Sequence, residues 1–266
     1  MKISGAIFLL ILLIGLKSCQ VNNGKEDPRH HDLVIYCENG ILGPVKELSD
    51  LYEKASGIDI KIRNDCARNL VSLLHYRDEV DIFIPDVHHA IDSLLAVDSL
   101  IFSRSVSLGE QALVFFVPQG NPDAFNGHLE NLFNPDKGLI LANPESSTLG
   151  LVTEIMLREN HLYEQSIKSA LMLTIDSRNL TRNIAEGRGS LAIGWQSDYA
   201  AAKAEVDTVH IRGVSSHLLQ YEARAAILGK APHKKTAEHY LKWLTSGPSI
   251  RIFEKYHIKK DFIPGI

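Results

Sequence analysis

The sequence predicts an α/β fold of two lobes, each a mostly parallel sheet flanked by helices. From residue 33 onward, short apolar runs alternate with stretches of helical periodicity, which is typical of βαβ units. The most hydrophobic run lies at 112–117 and is followed by a cluster of turn residues at 118–122. After that cluster the alternation begins again, which predicts a second lobe of similar plan.

Each element of the first lobe has a local signal. Its predicted strands lie at 33–36, 58–62 and 81–84. Pro44 is a residue that often opens a helix, and Val45 and Leu48 follow at the spacing of one buried helix face. Gly57 then ends the predicted helix, since glycine readily adopts the left-handed conformation found after helices.

The remainder of the chain carries the same alternation. Its predicted strands lie at 139–142, 190–195 and 223–228. The predicted helices lie at 151–158, 178–186, 234–245 and 248–256. The sequence shows no internal repeat strong enough to relate the two lobes residue by residue.

The first nineteen residues have the pattern of an export signal that ends at a lipid attachment site. Lys2 precedes an apolar run at 3–16, and the small residue Ser18 precedes Cys19. We expect a signal peptide at 1–18, lipid on Cys19, and a flexible tether at 19–31 that holds the protein to a bacterial membrane outside the cytoplasm. The apolar run is shorter than the roughly twenty residues that span a bilayer, so a transmembrane anchor is the weaker alternative.

The charge balance argues against nucleic acid as a partner. The full chain has a formal charge of −4, and loss of Lys2 and Lys17 with the signal leaves 26 basic against 32 acidic residues. Such a chain lacks the basic excess that binds nucleic acids or anionic membrane surfaces. Contact with the membrane is therefore expected only through the lipid.

Cys37 and Cys66 remain once Cys19 carries lipid. A disulfide between them would suit an oxidising compartment and would stabilise the fold by roughly 3–4 kcal/mol. Two free buried thiols and a shared metal site are the alternatives. The residues alone do not distinguish the disulfide, the free thiols and the metal site.

Four predicted loops lie where strands end and helices begin, at 38–43, 64–67, 143–148 and 176–177. In a parallel sheet such loops share one edge, and each helix start offers unpaired N–H groups and a partial positive charge. Ser146, Ser147, Thr148 and Ser177 could add hydroxyl donors, and Arg178 could bind an anion in a bidentate manner. The alternative is that the serines only cap their own helices.

Acidic residues occupy the same loops and weigh against a bare anion. They are Glu38, Asp65, Asp86 and Asp176. We interpret them as helix caps or hydrogen-bond acceptors, although together with Cys37 and Cys66 they would also allow a metal-cation site. The histidine pairs show no zinc-ligand spacing. Trp195, at the end of a strand, fits a ligand-covering residue and a core residue equally well.

No catalytic motif is evident. The sequence contains no G-x-S-x-G nucleophile elbow, no G-x-G-x-x-G loop and no phosphate-loop lysine. We therefore predict a binding protein without a cofactor. An extracytoplasmic hydrolase is the less favoured alternative, because it would need a nucleophile with a base.

Five segments, in this order, resemble the periplasmic solute-binding proteins of ABC transporters, specifically their molybdate-binding family. They are 48–57 (LSDLYEKASG), 80–84 (VDIFI), 113–122 (LVFFVPQGNP), 142–145 (ANPE) and 237–256, which ends IFEKY. The resemblance implies a type II fold with lobes at 32–112 plus 223–266 and at 113–222, joined by crossover strands at 112–117 and 223–228. It also implies a monomer that delivers a small tetrahedral oxyanion to an ABC permease, with molybdate first and tungstate or sulfate as alternatives.

The family's oxyanion ligands fall on altered positions in this sequence. The first serine falls at about Gly40, beside Asn39, and the second falls on Cys66 or Ala67. The family's tyrosine falls on Trp195. Backbone amides near Ser146, Ser147 and Ser177, with Arg178, would have to replace the missing side-chain donors.

Overall fold

The computed structural model describes residues 31–76, 79–133 and 138–260. Its strands are β1 (Leu33–Glu38), β2 (Ile60–Asp65), β3 (Ile82–Ile84), β4 (Phe102–Pro118), β5 (Leu139–Ala142), β6 (Ala170–Thr174), β7 (Leu191–Trp195), β8 (Val206–His210) and β9 (Gln220–Leu228). Its α-helices are α1 (Leu42–Ser56), α2 (Ala67–Tyr76), α3 (His89–Val97), α4 (Thr148–Glu159), α5 (Tyr163–Ser169), α6 (Ser177–Ala185), α7 (Tyr199–Ala202), α8 (Lys234–Leu244) and α9 (Gly247–Lys255).

The strands form one sheet in the order β2-β1-β3-β9-β4-β7-β5-β6, with β8 paired to β4 off this path. At one end β1 pairs in parallel with β2 and β3, and at the other β5 pairs in parallel with β6 and β7. The central strands β4 and β9 run antiparallel to their neighbours. This arrangement confirms the predicted α/β class.

The long strand β4 joins the two parallel groups. Its first part pairs with β9 as far as Ala112, and its second part pairs with β7 and β8 from Leu113 onward. The sequence predicted only 112–117. The preceding residues 103–107 are mostly polar and partly exposed, so they lacked an apolar signal.

Local signals account for the first helix. Val45 and Leu48 of α1 are completely buried, and Gly57 follows it at φ 73° with its N–H bonded to the Glu53 carbonyl at 2.8 Å. The helix begins at Leu42, two residues before Pro44. Its ends therefore follow the predicted chemistry, with a small shift at the start.

Cys37 and Cys66 are free thiols, which is one of the three alternatives that the sequence left open. Cys37 packs with Leu33 and Ile35 in the apolar cluster that α1 and α8 cover. Cys66 precedes α2, whose Leu70 belongs to a different cluster. The two thiols thus lie in separate environments although β1 and β2 are adjacent.

The predicted signal peptide, the lipid site Cys19 and all of the tether except His31 lie outside the described residues. Among the helices that are described, none has the length and apolar character needed to cross a membrane.

Candidate functional site

The carboxylate of Glu38 lies where the end of β1 meets the start of α4. Its Oε1 accepts a hydrogen bond from the Thr148 amide at 3.0 Å, and its Oε2 accepts from the Thr148 hydroxyl at 2.7 Å. Oε2 also accepts from the Asp86 amide at 3.0 Å, just after β3. The Ala67 amide, at the start of α2, favours the charged form of the same carboxylate. Donors from three separate elements therefore converge on one buried side chain.

A second carboxylate, that of Asp86, accepts hydrogen bonds from the start of α1 and from Trp195. Its Oδ1 accepts from the Ile41 amide at 3.1 Å, and its Oδ2 accepts from the Trp195 indole N–H at 3.0 Å. Trp195 is completely buried. Its ring therefore packs inside the protein and binds Asp86, and no face of it is open to a ligand.

Gly40 makes this close approach to Asp86 and Trp195 geometrically feasible. A Cβ atom at position 40 would lie 2.6 Å from Asp86 Oδ2 and 2.6 Å from Trp195 Cδ1. The serine that the family carries at about this position therefore has no room here. The missing donor reflects a different packing of the site.

The start of α6 is capped by Asp176. Its Oδ1 accepts from the Asn179 amide at 2.8 Å, and its Oδ2 accepts from the Asn39 side-chain amide at 3.0 Å. Asn39 in turn accepts from Asn64 at 2.8 Å. Together with Glu38 and Asp86, Asp176 completes a set in which each of the four predicted helix starts faces a carboxylate of the protein itself.

The three predicted serine donors have different environments. Ser147 caps α4 by accepting from the Gly150 amide at 3.1 Å, which agrees with the capping alternative. The Ser146 hydroxyl lies within 3.1 Å of the carbonyl of Asn143 and 3.0 Å of the carbonyl of Ile175. Ser177 is buried, and its hydroxyl favours the charged form of the nearby Asp198.

Burial dominates the protonation of three site carboxyls. It raises the pKa of Glu38, against which the hydrogen bonds from Asp86, Thr148 and Ala67 act. Burial also raises the pKa of Asp86 well above its usual range, and the charges of Glu38 and Asp198 add to the rise. For Asp198, burial and the nearby Asp176 raise the pKa, while Ser177 and Arg178 oppose the shift. The site thus holds a proton more readily than an exposed carboxylate cluster.

Asp198→Asn is expected to stabilise the protein by about 1 kcal/mol at pH 8, because it removes a carboxyl whose charged form is disfavoured by burial and by the nearby Asp176. A carboxyl whose pKa is raised by folding stabilises the folded state at pH values below its ordinary pKa near 3.8. This stabilisation is lost as the pH rises through the pKa of the folded state. The stabilisation by Asp198→Asn should therefore become smaller as the pH is lowered to 4. Urea unfolding at both pH values tests this; a gain that is the same at pH 4 and pH 8 would contradict it.

A cavity of about 310 Å³ lies next to these carboxylates. Its walls come from the start of α1, from α6, and from the segment around Ser197 and α7; they include Asn39, Gly40, Lys46, Arg178, Asp198 and Tyr256. Lys46 and Arg178 are exposed to this space and form no salt bridge with another described residue. Arg182, which also lines the cavity, is paired with Glu186 at 2.8 Å. The cavity is therefore lined by two cations without a salt bridge, one on α1 and one on α6, and by the acidic side chains Asp198 and Glu205.

Two other predicted ligand residues, Cys66 and Ala67, are not among the residues that line the cavity. Cys66 and Ala67 are buried at the start of α2, where the Ala67 amide faces Glu38. No group of three or more His, Cys, Asp or Glu among the described residues is arranged to hold a metal ion. The cation alternative based on Cys37, Cys66 and the acidic residues therefore gains no support.

Several residues of the site were missed by sequence reasoning. Lys46 and Gln111 were not among the predicted site residues, whereas Thr148 was predicted as a hydroxyl donor, and its hydroxyl donates to Glu38. Gln111 binds the Asp86 carbonyl through its amide, and it accepts from Ser197 at 2.9 Å. Thr148 had a detectable signal, because it directly follows a predicted helix cap. The contacts of Gln111 depend on segments distant in sequence and had none.

Comparison with known proteins adds a family and a fold. A family model described as bacterial extracellular solute-binding protein matches residues 33–259. An aconitate isomerase from Pseudomonas sp is 23% identical over 240 residues, covering 85% of this chain and 87% of that protein.

Two solved structures share the fold at low sequence identity. The periplasmic molybdate-binding protein of Azotobacter vinelandii is 14% identical with a TM-score of 0.71, covering 84% of this chain and 97% of its own. PEB3, a protein of Campylobacter jejuni, was solved with bound L-phospholactate; it is 16% identical with a TM-score of 0.70, covering 86% and 99%.

Proposed function

Because this chain belongs to the bacterial extracellular solute-binding protein family, whose members of this type deliver small ligands to ABC permeases, we propose that it captures a small organic anion. The observation that carries this proposal is the cavity of about 310 Å³ that Lys46 of α1 and Arg178 of α6 both line. Ligand pockets for small organic molecules begin at about this volume. Two cations without salt-bridge partners favour a carboxylate or a phosphate monoester.

Capture on this proposal is reversible binding without chemistry. The solute's anionic group would lie between Lys46 and Arg178, and its neutral polar groups would face Asp198 and Ser197. Closure around the solute would be favoured by its greater affinity for the closed form. Lipid on Cys19 would hold the monomeric protein beside its permease.

A tetrahedral oxyanion, with molybdate first, is the second candidate. The observation that favours it is the donor arrangement around Glu38, since amides at two helix starts and a hydroxyl are groups that hold oxyanions. Those donors already bind a carboxylate, however, whereas the cavity cations do not. This difference is why the organic anion is preferred.

Calorimetric titration of the full chain with L-phospholactate, aconitate, citrate, molybdate and sulfate tests the ligand class. We expect at least one organic anion to bind, and Arg178→Ala or Lys46→Ala to weaken it about tenfold or more, since a charged hydrogen bond contributes roughly 1.5–3 kcal/mol. Lys54→Ala, on the same helix but outside the cavity, is the control and should leave affinity unchanged.

Binding of molybdate alone, unaffected by Arg178→Ala, would instead support the second candidate. Aconitate recovered after incubation also tests for chemistry, because one relative is an aconitate isomerase. We expect the cis and trans forms to be recovered unchanged. Isomerisation that Asp198→Asn abolishes would show an enzyme.

A further inference from the structure

Glu38 occupies a set of donors that resembles a site for a free oxyanion. We call the amides of Ala67, Asp86 and Thr148 and the Thr148 hydroxyl the Glu38 donor set. The Asp86 and Thr148 groups bind both carboxylate oxygens, with two donors on Oε2 at 2.7 and 3.0 Å, and the Ala67 amide favours the charged form. Glu38 is 1% exposed, so these donors are shielded from water as they would be around a bound ligand.

This contact is more than an ordinary helix cap. The start of α4 already has a cap, because Ser147 accepts from the Gly150 amide. Glu38 instead accepts hydrogen bonds from the Thr148 amide and hydroxyl, which the Ser147 cap does not use. Glu38 lies 110 positions before Thr148 in the sequence. In the sheet, β3, β9, β4 and β7 separate β1 from β5, the strand that precedes α4.

We propose that Glu38 is a specificity-determining residue: its carboxylate fills the Glu38 donor set and so excludes free inorganic oxyanions from this protein. Exclusion is steric, since the donors are already bonded, and electrostatic, since a dianion would lie beside the Glu38 and Asp86 carboxyls. The inference goes beyond the proposed function, because it concerns what the site rejects. It holds whichever organic anion the cavity takes.

The donors would remain in place if the carboxylate were removed. Three of the four belong to the first residues of α2 and α4, and the fourth is the Asp86 amide, which follows β3, so secondary structure fixes their positions. Glu38→Ala removes only the outer side chain and leaves a space of carboxylate size. Formate and acetate, which match that group and carry a single charge, should enter it more readily than sulfate or molybdate.

Chemical rescue tests this inference. We expect Glu38→Ala to have a lowered melting temperature that formate or acetate raises saturably, relative to chloride at equal ionic strength. The wild-type protein should show no such shift, and Glu38→Gln should show none either, because the amide fills the same space. Adding Thr148→Val to Glu38→Ala should weaken the rescue about tenfold, since it removes the hydroxyl donor.

Two results would overturn the inference: a folded Glu38→Ala protein without saturable rescue, or wild-type protein that binds sulfate or molybdate as tightly as the variant does. If Glu38→Ala does not fold, the wild-type measurement still decides, because oxyanion binding that Thr148→Val weakens would place the anion in the Glu38 donor set. These results are independent of the test of the proposed function, because that test measures the binding of organic anions and the effect of Arg178→Ala on it.

Discussion

Gly40→Ser is expected to destabilise the protein by about 3 kcal/mol, although serine is the residue that the molybdate-binding resemblance assigns to this position. The new Cβ would lie 2.6 Å from both Asp86 Oδ2 and Trp195 Cδ1. Neither neighbour can move freely, because Asp86 is bonded to the Ile41 amide and Trp195 is completely buried. Overpacking of a rigid interior typically costs 1–3 kcal/mol and occasionally more.

Gly247→Ser provides the matched control for this substitution. Gly247 begins α9, and a Cβ there would have no atom within 4 Å. Its stability should change by less than about 0.5 kcal/mol, as surface substitutions usually do. Urea denaturation of both variants measures the difference, and equal stability would show that the packing around Gly40 is more tolerant than its contacts indicate.

Trp195→Ala is expected to cost about 3–5 kcal/mol, the usual range for a buried tryptophan. Trp195→Phe keeps most of the volume but removes the indole N–H, which leaves Asp86 Oδ2 without that donor. Loss of one partner of a buried acceptor costs about 1–3 kcal/mol. The Trp195 bond lowers the pKa of Asp86, against the rise that burial causes, so the loss should be greater at pH 8 than at pH 5.

Trp243→Phe is the control, because the Trp243 indole donates to the Leu48 carbonyl at 3.3 Å from a partly exposed position. It should cost less than Trp195→Phe and should show no such dependence on pH. Chemical unfolding at the two pH values tests both variants. A Trp195→Phe cost that is the same at pH 5 and pH 8 would contradict this prediction.

Hydrophobic patterning predicted much of the fold. The parallel strands β1 and β5 and the helices α1 and α8 coincide with apolar runs or with a single apolar helix face. The first part of β4 was missed because its residues are mainly polar; its strand conformation comes from pairing with β9, which lies more than a hundred residues further along the chain. Pairing between strands so far apart in the sequence cannot be recognised from the residues of one strand alone.

The site was predictable in outline only. The four helix starts lie within about three residues of their predicted positions, and acidic residues were recognised at the ends of the neighbouring strands. The sequence could not indicate that Glu38 meets Thr148, or that Asp86 meets Trp195, because 110 and 109 positions separate the members of these pairs. The prediction of an oxyanion ligand thus identified the donors but not the group that binds them in this structure.

The apolar cluster beneath α1 and α8 has a consequence for biosynthesis. It joins Leu33 and Val45 to Tyr240, Phe253 and Ile258, so its members come from segments that are far apart in the sequence. A nascent polypeptide cannot bury β1 in this cluster until α8 and α9 have been made. Collapse of this cluster must therefore follow synthesis of α9, and any truncation upstream of Tyr240 should yield a chain that proteases and chaperones treat as unfolded.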